Sequence, residues 1–388
     1  MTYNFDEIIE RHGTGCVKHD MLLQHYGRTD LTAMWVADMD FRSPDCISEA
    51  IRRRSEHPVY GYSFSTESYR KTMLSWLSRH YGIEAERDQL HFIPGIVAGI
   101  AFALMAFTHE DDKILVLTPV YPPFINLPDG SGRTLVASQL KIENGRFAID
   151  FDDLRNKARG CKMMIMANPH NPGGTVWSAD DLRKVAAICA ENHVMVIDDE
   201  IHADLTLPGY QHTAFPLVSK EAAENCLMFF SPSKTFNIAG LSSSICYVGN
   251  DELRQRFYGF LDTYEIAHGN VFSIVGAEAA YTHGEEWLSQ LLDYLAGNVA
   301  FTSDFLKREM PEVKAVMPEA SYLAWLDFSA YGYPHAETWQ RLLDRAHVAL
   351  NDGTTFGGKA YENCFRINIG CPRSVLNDVL QRIAKAME

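Results

Sequence analysis

Between positions 114 and 248, short apolar runs recur: Ile114–Leu117, Met163–Ala167, Val194–Ile197, Leu227–Phe230 and Ile245–Val248. Most intervals between them are too long for hairpins and carry helical periodicity. Such strands build a parallel sheet with crossover helices on its faces. One crossover helix is legible: Ser178, with Asp181 three residues on, starts a helix over Asp180–Asn192, with Leu182, Val185, Ala186 and Cys189 on one face. Polar residues follow each run, and open α/β sheets bind ligands beyond the C-terminal ends of their strands. Near Tyr281-Thr282-His283-Gly284 the pattern changes to a long helix, Trp287 to about Lys307, then strand-like Tyr322–Asp327 and Phe365–Ile369, then a closing helix. This predicts a smaller α+β unit beside the α/β one.

A chain of 388 residues can bury a large core. Its formal net charge of −15 leaves no basic field for a phosphate backbone, so no nucleic-acid partner is expected. The most apolar stretch, Ile93 to Phe107, is broken by Pro94, Gly95 and Gly99 and falls short of the roughly 20 residues of a spanning helix, so no membrane segment is expected. The start, Met1-Thr2-Tyr3-Asn4-Phe5-Asp6-Glu7, has neither a basic nor an apolar signal region. Eight scattered cysteines without C-x-x-C or ligand-like spacing to histidine fit a reduced cytoplasmic setting and no metal site.

Chemistry concentrates just after the strands. Lys234, in Ser231-Pro232-Ser233-Lys234-Thr235-Phe236-Asn237, follows two hydroxyls, so it can be a carbonyl-trapping amine beside a phosphate nest. Asp199 ends a strand 35 positions earlier; in Asp198-Asp199-Glu200 neighbouring side chains face opposite ways, so only one of the pair reaches a given ligand. A carboxylate there holds a pyridine nitrogen protonated and makes the ring an electron sink. Asn171, in Asn168-Pro169-His170-Asn171-Pro172-Gly173-Gly174, either donates to a ring oxygen or forms a rigid turn. His202 contacts the same ring edge or is satisfied by backbone. Gly95, Ile96 and Val97 open an apolar helix whose free N–H groups can face an anion. Tyr121 stacks on a flat cofactor or packs in the core. Arg366 clamps an α-carboxylate bidentately or forms a structural ion pair. This order and spacing imply pyridoxal phosphate.

Asn171, Asp199-Glu200-Ile201-His202, Ser231-Pro232-Ser233-Lys234 with Gly240 six further on, and Arg366 together resemble fold-type I pyridoxal-phosphate enzymes of the aminotransferase class I/II superfamily, across nearly the whole chain. Trp35-Val36-Ala37-Asp38-Met39-Asp40-Phe41, Tyr60-Gly61-Tyr62-Ser63, Ser233 to Leu241 and Tyr322-Leu323-Ala324-Trp325-Leu326-Asp327 look like its cystathionine β-lyase, or C–S lyase, branch. Ser242 stands where aminotransferases of the superfamily usually carry a phosphate-binding arginine, a departure typical of that branch. Cys16-Val17-Lys18-His19-Asp20 departs from relatives that carry Trp before the Asp, which bears on the N-terminal arm.

The resemblance implies a large domain with a mostly parallel seven-stranded sheet flanked by helices and a smaller α+β domain: residues 1–45 as an N-terminal arm with part of the small domain, 46–286 as the cofactor domain and 287–388 as the small domain. It further implies a homodimer with shared active sites, with Tyr62 reaching the phosphate from the second subunit, and Ala37 and Asp38 lining the substrate-carboxylate side. The activity implied is cleavage of cystathionine or a related Cβ–S amino acid to a thiol, pyruvate and ammonia, with Lys234, Asp199 and Tyr121 as catalytic residues. A class I/II aminotransferase with the same cofactor is the alternative.

Overall fold

The computed structural model describes residues 2–388. Seven strands form its main sheet: β1 (Leu90–Ile93), β2 (Lys113–Thr118), β3 (Thr134–Gln139), β4 (Cys161–Ala167), β5 (Met195–Asp199), β6 (Cys226–Phe230) and β7 (Ser244–Tyr247). Their order is β1-β7-β6-β5-β4-β2-β3, and only β7 runs against its neighbours. The mostly parallel seven-stranded sheet expected from the sequence is therefore present.

Both faces of the sheet are covered, which explains why the strands read as continuous apolar runs rather than alternating ones. Met164, Met166, Val196, Met228 and Phe230 face one core, and Met163, Ile165, Ile197, Leu227 and Phe229 face the other. Helix α1 (Ile96–Phe107) adds Ile96, Ile100, Ala103 and Leu104 to the second core, and α2 (Ala179–Glu191) adds Leu182, Val185, Ala186, Ile188 and Cys189 to the first. Ser178 caps α2 as expected, its Oγ accepting from Asp181 N at 3.1 Å. The Asp181 carboxylate takes the Ser178 hydroxyl at 2.7 Å, so the reciprocal bond of the capping box goes to side chain instead of backbone.

A second sheet comprises β8 (Lys314–Val316), β9 (Leu323–Asp327), β10 (Asn351–Asp352) and β11 (Cys364–Asn368), in the order β8-β9-β11-β10 and antiparallel throughout. The long helix α4 (Glu285–Glu309) and the closing helix α5 (Arg373–Met387) accompany it; between α2 and α4 in the chain lies α3 (Pro232–Thr235). Residues 34–41 lie along this sheet: Asn368 N donates to Met34 O, Asp40 N donates to Gly370 O, and Asn368 Nδ2 donates to Val36 O and Asp38 O, both at 2.6 Å. Among the described residues no helix is long and apolar enough to cross a membrane, and all eight cysteines are free.

Candidate active site

The register of the main sheet sets Ala167 beside Asp199 and Asp199 beside Phe229, so the loops after β4, β5 and β6 leave at one level. The loop after β4 is drawn in tightly. Gly174 has φ +66°, and a Cβ there would meet Ala320 O at 2.5 Å, so only glycine lets its carbonyl accept from Glu319 N and Ala320 N. After β1, Gly95 turns at φ +152° with free space around it, so its need for glycine is conformational; it delivers the first N–H groups of α1 to the same edge.

Lys234 stands on α3, a single turn. Ser231 caps it, its Oγ accepting from Ser233 N at 3.1 Å and lying 2.6 Å from Ser243 O and 2.7 Å from Ser233 Oγ. Lys234 Nζ donates to Ala37 O at 2.6 Å. Burial lowers its pKa to about 8, with Asp38 and Asp199 opposing the shift and Arg366 adding to it. Burial raises the Asp199 carboxyl to about 7, against the pull of the Ile201 N–H at 3.0 Å and of Lys234. Amine and acid thus sense each other. Asp198 and Glu200 turn the other way: Glu200 holds His212 at 2.8 Å and the Phe215 N–H at 2.9 Å. The opposite facing of neighbours on a strand end, expected from the sequence, separates the acid that meets the lysine from the two that do not.

Arg366 on β11 is 4 % exposed. Its Nη atoms donate to Asn171 Oδ1 (3.0 Å), Trp35 O (3.0 Å) and Asn351 Oδ1 (2.7 Å), and its guanidinium lies 5.1 Å from the Phe356 ring centre. Every one of those acceptors is neutral, and Nε is buried with no partner. Of the two readings open from sequence, a structural ion pair is not what these contacts form. Burial lowers the Arg366 pKa to about 10, the cost of a guanidinium with no anion beside it.

His202 belongs to the same buried cluster, its Nδ1 buried and unpartnered; burial, with Lys234 and Arg366 nearby, pushes its pKa down to about 3, so the ring is neutral. Tyr121 is half-buried beside them, its hydroxyl pKa raised by burial, with Arg366 and Asp199 as charged neighbours. Asn171 joins the group through Arg366. Ala37 joins through its carbonyl, and the Asp38 carboxylate, whose charge Lys234 senses, is bound by Arg11 at 3.0 and 2.9 Å. Tyr62 alone stands apart, fully exposed on an extended segment.

A model of the family "Aminotransferase class I and II" matches residues 30–383. The chain belongs to that family. Within it, cystathionine beta-lyase PatB of Bacillus subtilis (strain 168) is 40% identical over 386 residues, covering 99% of this chain and 100% of PatB. Cystalysin from Treponema denticola, whose crystal structure contains a pyridoxal 5'-phosphate cofactor, superposes with a TM-score of 0.95 at 30% identity over 100% of this chain and 99% of its own. A PLP-bound C-S lyase from Staphylococcus hominis superposes with a TM-score of 0.91 at 36% identity over 100% and 98%.

Several residues around this family member's site were given no role from the sequence. Tyr322 OH donates to Ala37 O at 2.9 Å, sharing the acceptor of Lys234. Asn237, at φ +57°, accepts from Met39 N and donates to Met39 O and Phe41 O, each at 2.9 Å, tying the lysine loop to residues 39–41. Arg11 and the fully buried Lys18 hold Asp38 and Asp40 from the N-terminal arm. These side chains act on backbone far away in sequence, and no local spacing reports such contacts.

Proposed function

We propose that this chain is a pyridoxal-phosphate-dependent carbon–sulfur β-lyase that cleaves cystathionine or a related Cβ–S amino acid to a thiol, pyruvate and ammonia. The observation that carries the reading is one buried cluster in which an amine with a lowered pKa, a carboxyl with a raised pKa and a guanidinium bound only to neutral acceptors sense one another's charge. The names of the similar proteins support the same chemistry.

The donor set fits the cofactor. Lys234 would hold its aldehyde carbon, Asp199 its ring nitrogen, Asn171, His202 and Tyr121 its ring, and Ser231, Ser233 and the N–H groups of Gly95, Ile96 and Val97 its phosphate. Ser231 is already engaged as helix cap and in contact with Ser243 O, so Ser233 has the freer hydroxyl. Ser242 supplies no cation; in left-handed conformation it ends the turn Ala239–Leu241. When bound, the cofactor supplies an electron sink for the pair left at the substrate Cα. Arg366 binds the substrate carboxylate with Asn171 beside it, and the neighbourhood of Ala37 and Asp38 closes that side. Lys234, once free, removes the Cα proton; an amine of pKa about 8 is roughly one-tenth neutral at pH 7, against less than a thousandth at 10.5. The Cβ–S bond then breaks, the thiolate leaves with the bonding pair and takes a proton, and one water converts the remaining three-carbon unit to pyruvate and ammonia.

The test is pyruvate release from cystathionine, cystine and cysteine conjugates. Formation independent of added keto acid supports elimination. Stoichiometric transfer of the amino group to a keto acid, without pyruvate from the sulfur substrate, replaces this reading with the aminotransferase. Arg366→Ala is expected to raise KM by about 10- to 100-fold, the loss of a charge-assisted contact of ~1.5–3 kcal/mol, with kcat changed much less. An unchanged KM removes Arg366 from its clamp role.

We extend the proposal to a cytoplasmic homodimer with shared sites, built from an arm (1–45), a cofactor domain (46–286) and a small domain (287–388). Val59, Tyr60, Tyr62 and Phe64 form an exposed apolar ridge next to a cleft of about 600 Å³ lined in part by Phe64, Tyr69, Arg70 and His268, a surface suited to a second copy. Tyr62→Phe is expected to weaken cofactor retention about tenfold, the value of one hydrogen bond to a charged group. A monomer in sedimentation at micromolar concentration, with full activity, would overturn the shared site.

A further inference from the structure

The turn that carries Lys234 is pinned from below by a residue outside the cofactor's reach. Thr235 Oγ1 donates to Asp204 Oδ2 at 3.0 Å and Trp76 Nε1 donates to Asp204 Oδ1 at 3.1 Å, so each carboxylate oxygen has a donor, and the Tyr81 hydroxyl is a further hydrogen-bond partner. Asp204 lies in the 3-10 turn Ala203–Leu205, which opens at His202 and follows Asp199 by five positions; this turn packs on α3. Trp76 is fully buried and belongs to the core under the site. One carboxylate therefore joins three pieces: the segment with Asp199 and His202, the turn with Lys234, and a fixed point in the core.

We infer that Asp204 is a positioning residue for the lysine: by holding the Thr235 hydroxyl it fixes the rotation of α3 and, through it, where the Lys234 amine stands relative to Asp199. The inference rests on the reading of Lys234 as the reacting amine. Successive residues of a helical turn are about 100° apart, so anchoring Thr235 toward Asp204 sends Lys234 to another side of the turn, where its amine meets Ala37 O. The turn is four residues long and has no second turn to stiffen it; among its other ties are the Ser231 cap, the Asn237 contacts and the bond of Lys234 to Ala37 O. Displacements of about 1 Å at a reacting group can lower a rate about 100-fold.

Thr235→Val keeps the volume of the side chain and removes the donor, whereas Thr235→Ser keeps the donor. In purified holoenzyme, kcat per bound cofactor is expected to fall about 10- to 100-fold in Thr235→Val, with KM within about twofold and cofactor occupancy retained, and to stay within about threefold in Thr235→Ser. The visible circular dichroism band of the bound cofactor shifts in Thr235→Val and not in Thr235→Ser. Adding Asp204→Asn to Thr235→Val lowers kcat no further, because both remove one contact. Wild-type kcat per bound cofactor in Thr235→Val overturns the inference, as does activity lost only in step with folded protein or occupancy, or additive effects in the double variant. The readout applies to any amino acid the holoenzyme turns over, including one that only transfers its amino group. Failure of the lyase reading with cystathionine is thereby separate from failure of this one.

Discussion

Lys234→Ala lowers pyruvate formation from the sulfur amino acid by on the order of 10⁴-fold, the upper end of what one positioned base contributes, while the protein stays folded. Both halves follow from the same burial. The amine is held at a pKa of about 8 against an ordinary value of 10.5, so the folded state binds its proton less well than the unfolded chain. Such a group destabilises the fold below pH 8, and stability returns as pH rises through 8 to 10.5. At pH 7 the penalty is at most about 3 kcal/mol, and removing the amine relieves it while leaving a small cavity next to Ala37 O. The two terms oppose each other, so the variant's melting temperature is expected within a few degrees of the parent measured without cofactor. Hydride reduction of the holoenzyme followed by peptide mapping identifies Lys234 as the modified residue in the parent. Label on another lysine, or pyruvate formation above a hundredth of the parent rate in the variant, defeats the assignment.

How much of this was legible beforehand depended on the range of the forces involved. The runs at 114–117, 163–167 and 227–230 are so apolar because neither face of the sheet meets water, and each lies within the strand it predicts. Two strands of the main sheet were missed. Leu90–Ile93 is short and runs straight into the apolar residues of α1, and Thr134–Gln139 is an edge strand with only Ser138 buried. At the site, Lys234, Asp199, His202, Asn171 and Arg366 could be named because each sits in a short string, next to a strand end or within a strand. The neutral partners of Arg366, the Tyr322 contact to Ala37 and the anchoring of Asp38 by Arg11 join residues from 15 to 331 positions apart, several of them through backbone carbonyls, and no short string contains both partners. Asp38 illustrates the difference. Its carboxylate is held by Arg11 and Lys18, contacts that no residue next to Asp38 in the chain announces.

Asp199→Asn separates the electronic role of this position from its shape. The amide keeps the size and an acceptor for Ile201 N–H but carries no charge, so it cannot hold a ring nitrogen protonated. The expected loss in kcat is about 10²- to 10³-fold, the effect of removing one preorganised partner at a site of charge development. Stability against pH gives an independent reading. Without cofactor, burial raises the Asp199 carboxyl from 3.8 to about 7, so the folded state retains a proton that the unfolded chain releases. Stability from this group is fully present below about pH 4 and is lost as pH rises to 7. A cationic ring nitrogen beside the carboxylate pulls its pKa back down and removes that loss. The stabilisation given by saturating cofactor is therefore expected to grow between pH 4 and pH 7, by up to about 4 kcal/mol from this carboxyl alone. Asp204 and Glu200, also raised by burial, do not meet the ring, so they affect both forms alike and cancel in the difference. In Asp199→Asn the growth attributable to the carboxyl disappears, and what remains is the cofactor's own titration. Equal pH slopes of cofactor-induced stabilisation in parent and variant mean that the acid at the end of β5 is not the partner of the ring, whatever happens to the rate.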